Sequence, residues 1–162
     1  MILYFLRHGV AEPSGGAGDE ARRLTGAGEA ALCEAAPIWR RLNLRPEVVL
    51  TSPLPRAART AELLRDALGL GHRPVPTEGL RPGATWSDMA RAMAAHPDAR
   101  RVMFVGHEPD LSGAVTRLTG ASSIRLRKGG LACVEFYGVP EPGGGELAWL
   151  LDPDVYSDDS PG

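Results

Sequence analysis

Residues 2–6, Ile-Leu-Tyr-Phe-Leu, are apolar without interruption, and the run stops at Arg7-His8-Gly9. A strand with one wet face alternates apolar and polar side chains, whereas an unbroken apolar run requires cover on both faces, as in a parallel sheet between layers of helices. Parallel neighbours in turn need long crossover connections, and the rest of the chain supplies them. Residues 48–50 and 101–105 read as further short strands. Apolar residues at helical spacing follow each: Ala57, Ala61, Leu64 and Leu68 after the first, and Leu111, Ala114, Val115 and Leu118 after the second.

The intervening segments fit the same scheme. Thr25 is placed to cap a helix whose face is marked by Ala27, Ala31, Ala35, Ile38 and Leu42, with a kink expected near Ala36 because Pro37 lacks an amide hydrogen. Ser52 and Pro53 read as the cap and first turn of the next helix. A weaker strand at residues 73–75 precedes a helix carrying Trp86, Met89, Ala90 and Met93 on one side. Residues 131–137 and 146–151 read as strands joined by the Gly/Pro-rich stretch 139–145, which favours antiparallel pairing. The expectation is an α/β fold: a three-layer α/β/α sandwich whose mostly parallel sheet has an antiparallel strand near its C-terminal end.

At 162 residues the chain suits one domain, placed at 1–152, with a frayed C-terminal tail at 153–162. Residues 12–23 lack periodicity and read as an exposed loop. The net charge of −2 offers no global field for nucleic acid, no apolar stretch reaches membrane-spanning length, and Cys33 and Cys133 lack a metal or redox spacing. No nucleic-acid partner, membrane or disulfide is therefore expected, and the setting is taken to be cytoplasmic.

Three expected strands end in polar residues: Arg7-His8-Gly9, then Thr51-Ser52 with Arg56 beyond, then Gly106-His107-Glu108. Ligands of open α/β sheets sit beyond the carboxyl ends of the strands, so these groups are positioned to share one crevice. Two guanidiniums and two imidazoles suit a tetrahedral oxyanion, since each guanidinium offers planar paired donors to phosphate oxygens. The helix starts read at Ser52 and His107 would add backbone N–H groups. No third ligand stands at metal spacing and no Gly-x-Ser-x-Gly elbow is present, so neither a metal nor an organic cofactor is expected.

These residues resemble the histidine phosphatase superfamily, of phosphoglycerate-mutase-like fold, and within it the short bacterial phosphohistidine phosphatases. The resemblance rests on Arg7-His8-Gly9, Leu24-Thr25, Ser52-Pro53-Leu54 with Arg56-Ala57, Gly106-His107-Glu108-Pro109 and Lys128-Gly129-Gly130-Leu131-Ala132, in that order. It implies a metal-independent phosphatase with His8 as nucleophile, Arg7, Arg56 and His107 around the phosphoryl group, and Arg22 as a further phosphate contact. Glu78 is the positional candidate for a proton donor, with a solvated carboxylate as the alternative. The expected substrate is phosphohistidine on a partner protein, because imidazole leaves more easily than an alkoxide. A broad phosphomonoesterase or sugar-phosphate phosphatase acting on a small phosphorylated substrate is the alternative within the superfamily, and a non-catalytic module that docks phosphorylated partners the alternative of another class. Outside the constellation, Arg125, Arg127 and Lys128 read as a solvated turn or as a docking rim for an acidic partner.

Overall fold

The computed structural model describes residues 1–15 and 18–156, so residues 16 and 17 of the expected loop and residues 157–162 of the expected tail lie outside the described residues. The N-terminal apolar run becomes β1 (Ile2–Arg7), and β2 (Val48–Thr51), β3 (Val75–Pro76), β4 (Arg101–Gly106), β5 (Leu131–Glu135) and β6 (Glu146–Leu151) join it in one sheet, in the order β3-β2-β4-β1-β5-β6. β1 to β4 pair in parallel, while β5 pairs antiparallel with both β1 and β6. One strand thus runs against the other five, as the turn-rich C-terminal segment implied.

The helices divide between the two faces by strand alternation. Leu3 and Phe5 of β1, Val102 and Phe104 of β4 and Val48 and Leu50 of β2 join Trp86 and Met89 of α4 (Trp86–Ala94) and Leu111, Val115 and Leu118 of α5 (Asp110–Thr119) in one core. Tyr4, Leu6, Val49, Met103 and Val105 face the other way. They pack on Leu32 of α1 (Gly26–Glu34), Trp39 of α2 (Ala36–Arg41), and Ala57, Ala61 and Leu64 of α3 (Pro55–Leu68). Each fully buried aliphatic or aromatic side chain contributes about 1.5–3 kcal/mol relative to exposure. The two layers of helices therefore hold the sheet from both sides.

Local signals explain the element boundaries. The Thr25 side chain accepts from the Gly28 amide at 2.9 Å and caps α1. Pro37 interrupts the expected single helix, which is divided into α1 and α2 at Ala35 rather than merely kinked. Gly69 at φ 64° and Gly120 at φ 72° end α3 and α5 in the left-handed region that side chains avoid.

Other expectations need correction. Ser52 does not cap α3, which starts at Pro55, where the missing amide hydrogen has no intrahelical partner to lose. Nor does α5 start at His107; it starts at Asp110. The expected strand at 73–75 is reduced to Val75–Pro76, because Pro76 cannot extend the ladder as a donor. β5 stops at Glu135, two residues early. After Asp152 the chain is not frayed at once: Pro153–Val155 form a 3-10 turn, and Tyr156 packs edge-on against buried Trp39 with ring centroids 6.3 Å apart.

Two helical glycines give opposite tests. A Cβ on Gly28 would lie 2.2 Å from the Val10 carbonyl oxygen, whereas one on Gly113 would meet nothing within 4 Å. Gly28→Ala should cost about 1–3 kcal/mol by forcing the backbone apart, and Gly113→Ala should add about 0.5–1 kcal/mol through helix propensity. Urea unfolding midpoints measure both.

Candidate active site

Parallel register brings three strand ends level. Thr51 of β2 and Leu6 of β1 both pair with Val105 of β4, and Arg7 pairs with Gly106. The pairing continues one residue further, through the His8 amide to Gly106 O at 3.1 Å and the Ser52 amide to Val105 O at 2.9 Å. His8, Ser52 and His107 consequently leave the same carboxyl edge side by side. Arg56 enters from the first turn of α3, directly after Pro55.

The two imidazoles stand edge to face, with centroids 5.2 Å apart. His8 Nδ1 lies 2.7 Å from Gly9 O. A carbonyl only accepts, so Nδ1 carries the proton and Nε2 keeps the lone pair. His107 Nε2 meets Ser52 Oγ at 2.8 Å. Behind them, the Thr60 hydroxyl donates to Arg56 O at 2.7 Å and accepts from the Gly9 amide at 3.2 Å. One fully buried hydroxyl therefore ties the peptide that orients His8 to the helix that carries Arg56. A Cβ at Gly9 would lie 2.8 Å from Leu32 Cδ1, so the Leu32 side chain would have to shift to admit one.

Each guanidinium is anchored through its terminal nitrogens. Arg7 Nη1 donates to Leu126 O at 2.8 Å; Arg56 donates through Nη1 to Asp19 O at 2.8 Å and through Nη2 to Asp19 Oδ2 at 2.9 Å. Among the described residues, the Nε–H groups of both arginines are buried without a partner, as is that of Arg101 at the start of β4. A buried donor left unpaired costs about 1–3 kcal/mol.

Burial and positive charge act together on the rings. His8 is pushed down to about 3, first by burial and further by His107, Arg56 and Arg7, against the Gly9 carbonyl, which favours the protonated form. His107 is pushed down to about 4 by burial, then by Arg56 and Arg7, with Asp19 opposing. Both imidazoles are therefore neutral at physiological pH, and both guanidiniums lie close enough to influence each ring. Burial also lowers Arg7, which Glu108 partly offsets.

The structure thus brings His8, His107, Arg7 and Arg56 into one cluster from the ends of β1 and β4 and the start of α3. Arg22 reaches it indirectly: its Nη1 meets Asp19 Oδ1 at 2.6 Å, while Asp19 Oδ2 holds Arg56. Glu78 lies in the 3-10 turn Glu78–Leu80, exposed and paired at 2.6 Å with Arg81, which also meets Glu20 at 3.2 Å. Sequence reasoning missed Asp19, Thr60 and the role of Ser52. For Asp19 the only signal was an acid three residues before Arg22, a spacing indistinguishable from a solvated pair.

A family model, Histidine phosphatase superfamily (branch 1), matches residues 3–101. An uncharacterized protein from Picosynechococcus sp. is 40% identical over 139 residues, covering 81% of this chain and 82% of that protein. Among solved structures, the protein histidine phosphatase SixA complexed with tungstate superposes with a TM-score of 0.85 at 24% identity, covering 97% of this chain and 100% of the other. A protein from Agrobacterium tumefaciens assigned as the phosphohistidine phosphatase SixA superposes at 0.79 with 23% identity, covering 94% and 97%.

Two measurements probe this geometry. Thr60→Val should lose about 1–3 kcal/mol in urea unfolding, because the Gly9 amide loses its acceptor, while Thr60→Ser keeps most of that stability. The pH dependence of stability follows from the histidines. Their folded pKa values are depressed, so their contribution is complete above the unfolded value near 6.5 and falls away toward about 4 and 3. Between pH 6.5 and 5, above the carboxylate range, each ring should add up to about 1.4 kcal/mol of slope per pH unit, and His8→Asn should flatten the slope measured by denaturant titration.

Proposed function

The chain belongs to the histidine phosphatase superfamily, and from that premise we propose that it is a metal-independent phosphatase that removes phosphoryl groups from phosphohistidine on a protein through a phosphohistidine intermediate on His8. The observation that carries the reading is the pairing of a neutral, tautomer-fixed imidazole with the Arg7 and Arg56 guanidiniums that act on it. The first is a nucleophile and the second an oxyanion receptor. A similarly folded protein histidine phosphatase is known with tungstate, a tetrahedral oxyanion, which supports the same guest here.

In the proposed reaction His8 Nε2 attacks phosphorus in line, the bond from phosphorus to the substrate nitrogen breaks, and that nitrogen leaves with the electron pair and takes up a proton. Arg7, Arg56 and His107 stabilise the charge on the equatorial oxygens, as positioned donors do in phosphoryl transfer. Gly9 O keeps Nε2 aimed at the phosphorus, and its acceptor bond to Nδ1–H strengthens as positive charge develops on the ring. Water then attacks the phosphoryl-His8 intermediate, releasing inorganic phosphate and regenerating the neutral ring. Ser52 fixes the orientation of His107, and Asp19 holds both Arg56 and Arg22.

The substrate class follows from the proton inventory. An alkoxide leaving group requires an acid within hydrogen-bond reach, and Glu78, the one considered, is exposed in an ion pair with Arg81. A phosphoramidate needs less help, because imidazole is the better leaving group, which favours an N–P bond over a phosphate ester. The cytoplasm is the compartment we assign to it. Incubation with radiolabelled phosphohistidine peptide in the presence of EDTA tests the reading. Label should appear on the wild-type protein and turn over, and His8→Ala should retain its fold while losing the label and roughly 10³-fold or more in kcat. Faster turnover of p-nitrophenyl phosphate than of the peptide would favour the phosphomonoesterase alternative, and retained turnover by His8→Ala would overturn the mechanism.

A further inference from the structure

The segment that holds Arg7 and His8 from the β5 side also carries a concentration of positive charge. The Arg7 amide donates to Gly130 O at 3.0 Å, the Gly129 amide donates to both Arg7 O and His8 O at 3.1 Å, and Leu126 O receives Arg7 Nη1. Leu126 is 1% exposed and anchors the segment in the core, and the Gly130 amide closes the turn on Arg127 O at 2.7 Å. Residues 125–130 are thus fixed directly to the peptide units of the candidate active site.

From that anchored turn Arg125, Arg127 and Lys128 project into solvent. Arg127 is neutralised by Asp152 at 3.1 Å and by Asp154. Arg125 and Lys128 have no ion-pair partner among the described residues. All three line a groove of about 500 Å³ together with Arg7, while Glu34 of α1 and Asp154 form its acidic part. Arg7 belongs both to this groove and to the four-residue cluster, so the two share a side chain.

We propose that this turn is a docking platform for an acidic stretch of polypeptide flanking the phosphorylated side chain, with Arg125 and Lys128 as the specificity-determining contacts. The proposal rests on the phosphatase reading above and names the chemistry of its partner. Two unpaired cations beside a pocket for one phosphoryl group match a pair of Asp or Glu side chains next to the modified residue. A long polyanion fits poorly, because the chain as a whole carries a net charge of −2. Rigid attachment to β1 lets the platform set substrate position without taking part in the chemistry.

Two phosphohistidine peptides of equal length, one flanked by Glu and Asp and the other by Lys, separate the outcomes. Wild type should prefer the acidic peptide by about 10-fold in kcat/KM at low salt, mainly through KM, and the preference should shrink as ionic strength rises. Arg125→Glu/Lys128→Glu should reverse it and Arg125→Gln/Lys128→Gln should abolish it. Both should leave phosphoramidate hydrolysis within about threefold, since small-substrate chemistry does not use these exposed charges. Equal rates on the two peptides, or an unchanged preference in the variants, would overturn the platform while leaving the phosphatase intact. Hydrolysis of phosphoramidate but of neither peptide would also overturn it, and failure on all three substrates would remove the phosphatase reading on which it rests.

Discussion

The level ending of three parallel strands is the constraint on which the rest depends. Thr51, Val105 and Leu6 lie in register across β2, β4 and β1, so the next residues of three distant segments emerge side by side. A displacement of one residue in this ladder would exchange the residues that meet the two helix layers, which differ in shape. Since each strand is buried on both faces against different helices, the register is held by the same packing that forms the two cores. Site geometry and hydrophobic burial are thereby one problem with one solution.

Within that frame the cluster combines features that oppose one another in water. Imidazoles titrate near neutrality when exposed, yet burial and the neighbouring guanidiniums hold His8 and His107 neutral. The positive charge that receives an anion also keeps the proposed nucleophile unprotonated. Gly9 O decides which nitrogen is left free, and Thr60 fixes the Gly9 peptide to α3. Arg7 and Arg56 are each fixed through their terminal nitrogens on protein acceptors. Such donors need little reorganisation when charge develops in front of them, which is the basis of electrostatic preorganisation.

Supporting contacts arrive from elements remote in the chain. Leu126 O and the Gly129 amide reach β1 from the turn before β5, and Asp19 reaches Arg56 from the loop before α1. The proposed docking turn therefore shares its backbone anchors with the residues proposed for catalysis, so recognition and chemistry rest on the same few hydrogen bonds.

The sequence alone determined the layered α/β architecture, because unbroken apolar strands alternating with amphipathic helices admit few other arrangements. It also marked Arg7, His8, Arg56 and His107 as residues at strand and helix ends, where side chains face the ligand edge. It misjudged Ser52, since a serine before prolines has the same local pattern whether it caps a helix or faces a distant histidine. Asp19, Thr60 and Leu126 O were illegible for the same reason: a loop acid, a helical threonine and a backbone carbonyl acquire meaning only from partners at separations of 37, 51 and 119 residues. Tertiary structure alone decided the protonation state of the imidazoles and which guanidinium hydrogens stay unpaired. Both depend on burial and on the simultaneous position of several charges, which local spacing does not encode.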